Sequence, residues 1–311
     1  MRIAVFGAGG VGGYFGGRLA QAGHSVVFIA RGAHLQAIRR DGLHVESLAG
    51  DFVVRPAEAT DSPGSAGQVE AVLVCVKAWQ VPEAAQAMLP MLGPRSFVVP
   101  LENGVEAADQ IASAVGSDRV LGGLCKIVSY LAAPGRIRHA GVEPRVEFGE
   151  RGGLRSDRPA SLRAAFEAAG GVSVGIPDDI DAALWEKFLF IAPFSGVGAV
   201  TRAPAGVLRG IPETREMLRA AMQEVFTLAR ARGVAVREDV VARTLGFVDA
   251  LPKDATSSMQ RDILEGRPSE LEYQNGTVVR LGRAAGVATP VNESIYRSLL
   301  PAELRARGGG G

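Results

Sequence analysis

The glycine pattern at the N-terminus constrains the fold more than any other feature of this chain. A short apolar run, Ile3–Phe6, leads directly into Gly7-Ala8-Gly9-Gly10-Val11-Gly12, which has the form Gly-x-Gly-x-x-Gly. In this pattern the first glycine permits a tight strand-to-helix turn, the second admits a pyrophosphate to the backbone, and the third lets the helix pack on the strand. The N–H groups at the helix start then face the anion. The pattern predicts a dinucleotide site in which all six residues, Gly7 to Gly12, bind the cofactor.

The end of the next predicted strand indicates which dinucleotide binds. Ser25–Ala30 ends at Arg31, where an NAD-binding protein usually carries Asp or Glu for the ribose 2′-hydroxyl, and the first acidic residue of the chain is Asp41. A guanidinium at this point is suited to a 2′-phosphate, which favours NADP (NADPH). The alternative is that Arg31 is only a solvated residue at a strand end.

Length and composition exclude several classes of protein. With 311 residues, 47% of them hydrophobic, the chain is long enough for two domains. A net charge of +1 without a basic stripe argues against a nucleic-acid partner. We predict a soluble, cytoplasmic protein with no membrane partner, because no uninterrupted apolar stretch approaches the roughly 20 residues that span a bilayer. The two cysteines, Cys75 and Cys125, and the four histidines show no metal-ligand spacing, so we predict neither a metal nor a disulfide.

Strand and helix patterns alternate in the first half of the chain and give way to helices alone in the second. We predict an α/β protein with an N-terminal Rossmann-type, doubly wound sheet over residues 1–178 and an all-α C-terminal domain over residues 179–311. Pieces at Leu43–Ser47 and Phe52–Arg55 read as a hairpin insertion, and those at Arg136–His139 and Arg145–Gly149 as extensions of the sheet. The predicted helices of the second domain cover 182–194, 213–232, 238–251, 258–265, 268–285 and a last segment from 291, followed by a frayed tail from Arg305.

Two residues of the helical half are candidates for chemistry. Lys187 lies within Trp185–Ala192, a stretch that is apolar on nearly every helical face, and a buried ammonium is costly unless a carboxylate or ligand answers its charge. The alternative is that Lys187 extends to solvent or pairs locally with Glu186 or with a helix C-terminus. Glu270 is predicted in the first turn of a helix that begins at Pro268, where a carboxylate is also ordinary helix-start chemistry.

Two polar residues follow neighbouring predicted strands of the nucleotide domain. Lys77 comes directly after the apolar run Ala71–Val76, and Asn103 follows the run Ser96–Leu101. Open α/β sheets bind ligands at the carboxyl ends of their strands, so both are candidates for the cofactor and substrate side of the sheet. Asn103, which precedes Gly104, is equally compatible with a plain turn.

These residues together resemble the ketopantoate reductases (2-dehydropantoate 2-reductases) over essentially the whole chain. The resemblance rests on the glycine pattern, Lys77, Leu101–Gly104, Trp185–Phe188 and the run from Ser257 to Glu270. It implies that Lys187 is the general acid, that Glu270 holds the substrate hydroxyl, orients the lysine and contacts the cofactor, and that Ser258 binds the substrate carboxylate. Asn103 and Lys77 would line the nicotinamide and the substrate, and Arg31 would take the 2′-phosphate.

The chain departs from the family pattern at three positions that commonly carry asparagine, where it has Ile191, Ser195 and Ala205. We expect Ile191 and Ser195 to contact the substrate and to alter its recognition, since buried polar sites discriminate through their hydrogen bonds. The resemblance therefore implies NADPH-dependent reduction of ketopantoate or of another branched 2-oxoacid. A nonenzymatic NADPH-sensing module is the rival, and it has no use for Lys187 with Glu270. A homodimer is one state that the apolar helical faces allow, and the sequence does not decide it.

Overall fold

The computed structural model of the chain describes residues 1–308 and divides into two compact units. The first unit contains Met1–Glu102 and Glu106–Ile180, and the second contains Asn103–Val105 and the chain from Asp181 onward. Relative to the proposed domains 1–178 and 179–311, the division falls two residues later, and Asn103–Val105 joins the helical unit.

A parallel sheet organises the first unit. Its strands are β1 (Arg2–Phe6), β2 (Ser25–Ile29), β5 (Glu58–Thr60), β6 (Val69–Val74) and β7 (Leu92–Pro100). Their order is β5-β2-β1-β6-β7, so the direction of winding reverses between β1 and β6, which is where such sheets bind ligands. The helices of this region are α1 (Gly10–Gln21), α2 (Gly32–Asp41), α3 (Val81–Ala87) and α4 (Ala107–Val115).

Both faces of this sheet are buried, as a doubly wound fold requires. Ile3 and Val5 of β1 pack into one hydrophobic core with α1, whereas Ala4 and Phe6 pack into another with α3 and α4. The predicted Rossmann-type sheet is confirmed. The short strand β5 has no clear signal in the sequence, since Glu58-Ala59-Thr60 is neither alternating nor strongly apolar.

A second sheet in the same unit corrects the sequence-based prediction. Its strands are β3 (Leu43–Ser47), β4 (Phe52–Val54), β8 (Gly122–Ala133), β9 (Arg136–Gly149) and β10 (Ser173–Gly175), and α5 (Arg158–Ala169) precedes β10. The β3–β4 hairpin forms antiparallel as predicted. The two pieces around His139 and Arg145 do not extend the first sheet, because they are one strand, β9, paired along its length with β8. The missed signal is Pro134-Gly135, where Gly135 adopts φ +75° in a tight turn between the two strands.

The second unit is helical, as predicted. Its helices are α6 (Ile180–Thr201), α7 (Ala205–Gly210), α8 (Pro212–Ala231), α9 (Val240–Ala250), α10 (Ser258–Leu264), α11 (Thr277–Ala285) and α12 (Pro290–Ala306). A single π-helical turn, Glu272–Gly276, leads into α11. Their inward faces share one hydrophobic core that contains Phe188, Leu218 and Val278.

The main differences from the prediction in this unit concern the end of α6, the helix α7, the segment after Pro268 and the C-terminal residues. The helix α6 continues through Pro193 to Thr201 because the following residues are buried in the core, and the short helix α7 was not predicted. No helix begins at Pro268, since the chain is irregular until the π turn. Arg305 is helical and Arg307 bonds to Glu303, so these residues are not a frayed tail. The last glycines of the predicted tail, 309–311, lie outside the described residues.

Among residues 1–308, only α6 is long and apolar enough to pass a length-and-composition test for a membrane span. Of its most apolar window, 61% is buried inside the protein, and the core helix of a globular protein meets the same test.

Candidate active site

The glycine loop after β1 combines tight packing with one open position. Gly7 adopts φ +100°, and a Cβ there would lie 2.8 Å from the carbonyl oxygen of Cys75. A Cβ on Gly12 would overlap the carbonyl oxygen of Gly7 and lie 2.7 Å from Val5 Cγ1. A Cβ on Gly9, in contrast, would meet no atom within 4 Å. The first and third glycines are thus required by packing, whereas the second borders open space.

This open position fits a dinucleotide phosphate. Gly9 is the N-cap of α1, with no side chain capping the helix and no acidic residue in the first turn. The first N–H groups of a helix lack intrahelical partners and favour an anion. Gly9, Gly10 and Val11 are the residues that would hold the pyrophosphate.

The thiol of Cys75, which lies next to Gly7, is neutral. Burial raises the pKa of this thiol well above its usual value, and the carboxylate of Glu102 adds to the rise.

A histidine that the sequence did not single out braces the loop. His34 of α2 lies 2.7 Å through Nε2 from the carbonyl oxygen of Ala8, and its Nδ1 accepts a hydrogen bond of 2.9 Å from the N–H of Gly135. Because Nδ1 accepts, Nε2 carries the proton and donates to Ala8. The imidazole therefore joins the glycine loop to the β8–β9 turn. On the other side of the loop, a Cβ on Gly10 would lie 2.8 Å from Tyr130 Cα of β8.

Arg31 stands at the end of β2, as predicted, and has a partner that the sequence did not reveal. Its Nη2 donates to Glu83 Oε1 at 2.8 Å, and both side chains are 65% exposed. An exposed pair of this kind contributes about 0–1 kcal/mol, so a bound phosphate can displace the carboxylate. Lys77 is also exposed, and its ammonium lies 5.8 Å from the centre of the Trp79 ring.

In the helical unit, the structure brings together two of the predicted site residues. Asn103 Nδ2 donates to Glu270 Oε2 at 3.2 Å, and the Glu270 side chain is buried with only 5% exposure. Glu270 lies just before the π turn rather than in the first turn of a helix, and its backbone carbonyl accepts from the N–H of Tyr273. Irregular backbone of this type recurs at functional sites. The Glu270 carboxylate therefore does not stabilise the first turn of a helix, which was the alternative that the sequence left open.

Lys187 and Ser258 are on separate helices of the same unit. Lys187 lies on α6, in sequence between the buried residues Trp185 and Phe188, but Lys187 itself is half-buried, which corrects the expectation of a buried ammonium. Ser258 is the half-buried first residue of α10. The preceding residue, Ser257, caps that helix by accepting from the N–H of Gln260, and Ser258 Oγ does not serve as the cap.

The three positions that depart from the family pattern have different environments. Ile191 is half-buried on α6, one turn beyond Lys187. Ser195 is fully buried, and its hydroxyl has no hydrogen-bond partner among residues 1–308. Ala205 is fully buried at the start of α7. A buried hydroxyl without a partner is costly, and such groups merit a functional explanation.

Metal ligation has no candidate in the described part of the chain. No group of three or more His, Cys, Asp and Glu side chains in residues 1–308 is arranged to hold a metal ion, and neither Cys75 nor Cys125 forms a disulfide.

Comparisons with known proteins cover nearly the whole chain. The family described as "Ketopantoate reductase PanE/ApbA" matches residues 3–153, and its C-terminal counterpart matches residues 179–303. A 2-dehydropantoate 2-reductase of Halobacterium salinarum is 34% identical over 94% of this chain and 95% of its own length. An uncharacterized oxidoreductase of Bacillus subtilis, YkpB, is 31% identical over 96% of this chain and 98% of its own.

A solved structure agrees with the sequence comparisons. The PanE/ApbA family ketopantoate reductase from Ralstonia eutropha JMP134 is 34% identical, superposes with a TM-score of 0.90, and covers 99% of this chain and 100% of its own. Both sequence and fold place the protein among dinucleotide-binding oxidoreductases, and the chain belongs to the ketopantoate reductase family.

Proposed function

We propose that this protein is an NADPH-dependent reductase that converts 2-dehydropantoate (ketopantoate) to pantoate. The observation that carries the proposal is the buried Glu270 carboxylate, held by Asn103 at the irregular turn before α11. Burying a carboxylate costs free energy unless partners or a ligand balance its charge, so the burial of Glu270 beside Asn103 favours a substrate-binding role over a module that only binds cofactor. The open position at Gly9 supports the cofactor, and the family membership supports the reaction.

The roles of the residues follow from their chemistry and from the family. NADPH, when bound, supplies a hydride to the C2 ketone of the substrate. The Lys187 ammonium donates a proton to the ketone oxygen and stabilises the negative charge that develops there. Glu270 accepts a hydrogen bond from the substrate hydroxyl, and Ser258 donates one to the substrate carboxylate.

The remaining assignments concern the cofactor and the pocket. Arg31 takes the 2′-phosphate, and Lys77 and Asn103 line the nicotinamide and substrate. Ile191 and Ser195 line the substrate pocket, which makes it more apolar than the family pattern supplies. Another branched 2-oxoacid is therefore the second candidate substrate, since an apolar pocket discriminates against an added hydroxyl by only about a hundredfold.

The test is the loss of NADPH absorbance at 340 nm with purified protein and a panel of 2-oxoacids that includes ketopantoate and 2-oxoisovalerate. We expect turnover with ketopantoate, and a steady signal with the whole panel would favour the NADPH sensor instead.

Two variants then test the catalytic roles. Lys187→Ala is expected to lower kcat by about 10²–10⁴-fold with little change in the Kd for NADPH, because general acid catalysis contributes that much. Glu270→Gln is expected to raise the KM for the 2-oxoacid as well as to slow turnover. The controls, Lys253→Ala and Glu213→Gln, alter exposed residues of the same unit and should leave the kinetics unchanged. Near-native turnover by Lys187→Ala would contradict its role.

A further inference from the structure

A closed ring of hydrogen bonds surrounds Ser269, the residue directly before Glu270. The Ser269 N–H lies 3.1 and 3.0 Å from the two carboxylate oxygens of Glu303, and the Ser269 hydroxyl donates to Glu303 Oε2 at 2.5 Å. Arg307 completes the ring, since its Nε donates to Glu303 Oε1 at 2.6 Å and its Nη2 donates to the Ser269 carbonyl at 2.7 Å. Both polar groups of the Ser269 backbone are thus bound, the N–H by Glu303 of α12 and the carbonyl by Arg307, the residue that directly follows this helix.

Two members of the ring, Ser269 and Glu303, are buried, whereas the Arg307 side chain reaches solvent with 33% exposure. Ser269 is fully buried and Glu303 is 4% exposed. A buried carboxylate is stable only when its charge is balanced and its lone pairs accept hydrogen bonds. Arg307 supplies the opposite charge here, and Arg307 and Ser269 donate the hydrogen bonds. Hydrogen bonds to charged groups are the strong ones in proteins. The hydrogen bonds to Glu303 and Arg307 therefore hold the backbone of Ser269 in one position.

The helix α12 holds the whole segment that carries Glu270. Beyond the ring, Tyr296 of α12 donates to Glu272 Oε2 at 2.6 Å, and burial together with this bond raises the pKa of Tyr296 to about 12. Asn292 of the same helix accepts from Asn275 at 3.0 Å. The segment is therefore tied to one rigid helix immediately before Glu270 and again after it.

We propose that Glu303 and Arg307 are positioning residues that aim the Glu270 carboxylate at the substrate through Ser269. The inference rests on the proposed function, because it assigns Glu270 to substrate binding. A misplacement of about 1 Å in a catalytic group can cost about a hundredfold in rate, so a support next to Glu270 has leverage on catalysis without touching the substrate.

Glu303→Gln is the informative substitution because it keeps the shape of the side chain. One end of the amide is an NH₂ group, and every partner of the Glu303 carboxylate in the ring is a donor. With the NH₂ group in the place of Oε1 it faces the Arg307 Nε–H, and in the place of Oε2 it faces the Ser269 N–H and forces the Ser269 hydroxyl to accept instead of donate. We expect kcat/KM for ketopantoate to fall by about 10- to 100-fold, with a rise in KM like that of Glu270→Gln.

A matched control lies on the same helix. Arg297 pairs with Glu293 at 2.7 Å with the same i,i+4 spacing as Glu303 and Arg307, but both side chains are accessible to solvent. Arg297→Ala removes that pair without touching Ser269 and should leave kcat/KM within about twofold of the wild type, as exposed pairs contribute little.

The double variant with Glu270→Gln distinguishes positioning from a general effect on folding. If Glu303 acts through Glu270, then adding Glu303→Gln to Glu270→Gln should lower kcat/KM by no more than about twofold further, because residues that work as a unit are not additive. Thermal unfolding followed by circular dichroism shows whether each variant is folded. Arg307→Lys is a milder variant, since lysine keeps the charge but lacks the fork that reaches both partners, and it should show an intermediate loss.

Each outcome is decisive. Additive effects of Glu303→Gln and Glu270→Gln, or a Glu303→Gln protein as active as Arg297→Ala, would overturn the positioning role. Should Glu303→Gln fail to fold, wild-type kinetics of Arg307→Lys would overturn it in the same way. Wild-type kinetics of Glu270→Gln alone would instead refute the role of Glu270 in the proposed function.

Discussion

Alanine in place of Gly12 should destabilise the fold, whereas alanine in place of Gly9 should leave the fold intact and weaken cofactor binding. Gly12→Ala places a methyl group against backbone, since its Cβ would overlap the Gly7 carbonyl oxygen and lie 3.0 Å from Cys75 Cβ. The Gly7 carbonyl cannot move without shifting the end of β1, and Cys75 cannot move without shifting the end of β6. Gly9→Ala places its methyl group in open space, and Gly9 already has φ −70°, which any residue can adopt.

The magnitudes follow from these surroundings. Overpacking against rigid backbone places Gly12→Ala at about 3 kcal/mol of lost stability or more, which lowers the Tm by about 6–12 °C for a domain of this size. For Gly9→Ala, a poorer N-cap costs up to about 1 kcal/mol, and the reduced freedom of the unfolded chain returns about 0.4–1 kcal/mol. Its Tm should therefore stay close to that of the wild type.

Although Gly9→Ala should leave the Tm unchanged, it should weaken the binding of NADPH. If the open space receives the pyrophosphate, a methyl group there displaces a charge-assisted contact worth about 1.5–3 kcal/mol, which weakens NADPH about ten- to a hundredfold. At an NADPH concentration of 100 times the wild-type Kd, ligand binding stabilises the wild type by about 2.7 kcal/mol and a tenfold weaker variant by about 1.4 kcal/mol.

Differential scanning fluorimetry with and without NADPH, together with calorimetric titration of NADPH, measures both quantities. Wild-type NADPH affinity in Gly9→Ala would refute the reading of this space as the phosphate cradle. An unchanged Tm in Gly12→Ala would refute the packing argument.

Three further predictions concern cofactor choice, loop support and substrate choice. Arg31→Ala should erase most of the preference for NADPH over NADH. Glu83→Gln should leave this preference intact or strengthen it, because it releases the Arg31 guanidinium from its 2.8 Å contact. If titration gives the same ratio of NADPH to NADH affinity in the wild type and in Arg31→Ala, then Arg31 is only a solvated surface residue. His34→Phe removes both hydrogen bonds of the imidazole, so it should lower the free energy of unfolding by about 1–3 kcal/mol and weaken NADPH binding. Thermal melts and titration of NADPH measure the two effects, and an unchanged Kd would confine His34 to a structural role. Ile191→Asn with Ser195→Asn should raise kcat/KM for ketopantoate relative to 2-oxoisovalerate, and a wild type that already favours ketopantoate by more than about four orders of magnitude would show that other residues hold its hydroxyl.

Local patterns in the sequence were sufficient for the elements that depend on short-range physics. The turn after β1 needs glycine at Gly7 and Gly12 for steric reasons that act within a few residues, so the pattern predicts the Rossmann-type sheet correctly. Apolar periodicity likewise predicts the helical unit, since an amphipathic helix carries its own signature.

Only the tertiary structure decided which strands share a sheet and which residues support the candidate site. Strand β9 pairs with β8 rather than with the parallel sheet, because pairing depends on long-range partners that alternation in one segment does not specify. The bond from Asn103 to Glu270 spans 167 positions, and the ring from Ser269 to Glu303 spans 34. A buried carboxylate has no mark in the sequence that separates it from a solvated one. Its partners become visible only when the chain has folded, because the desolvation that makes them necessary arises from the packing itself.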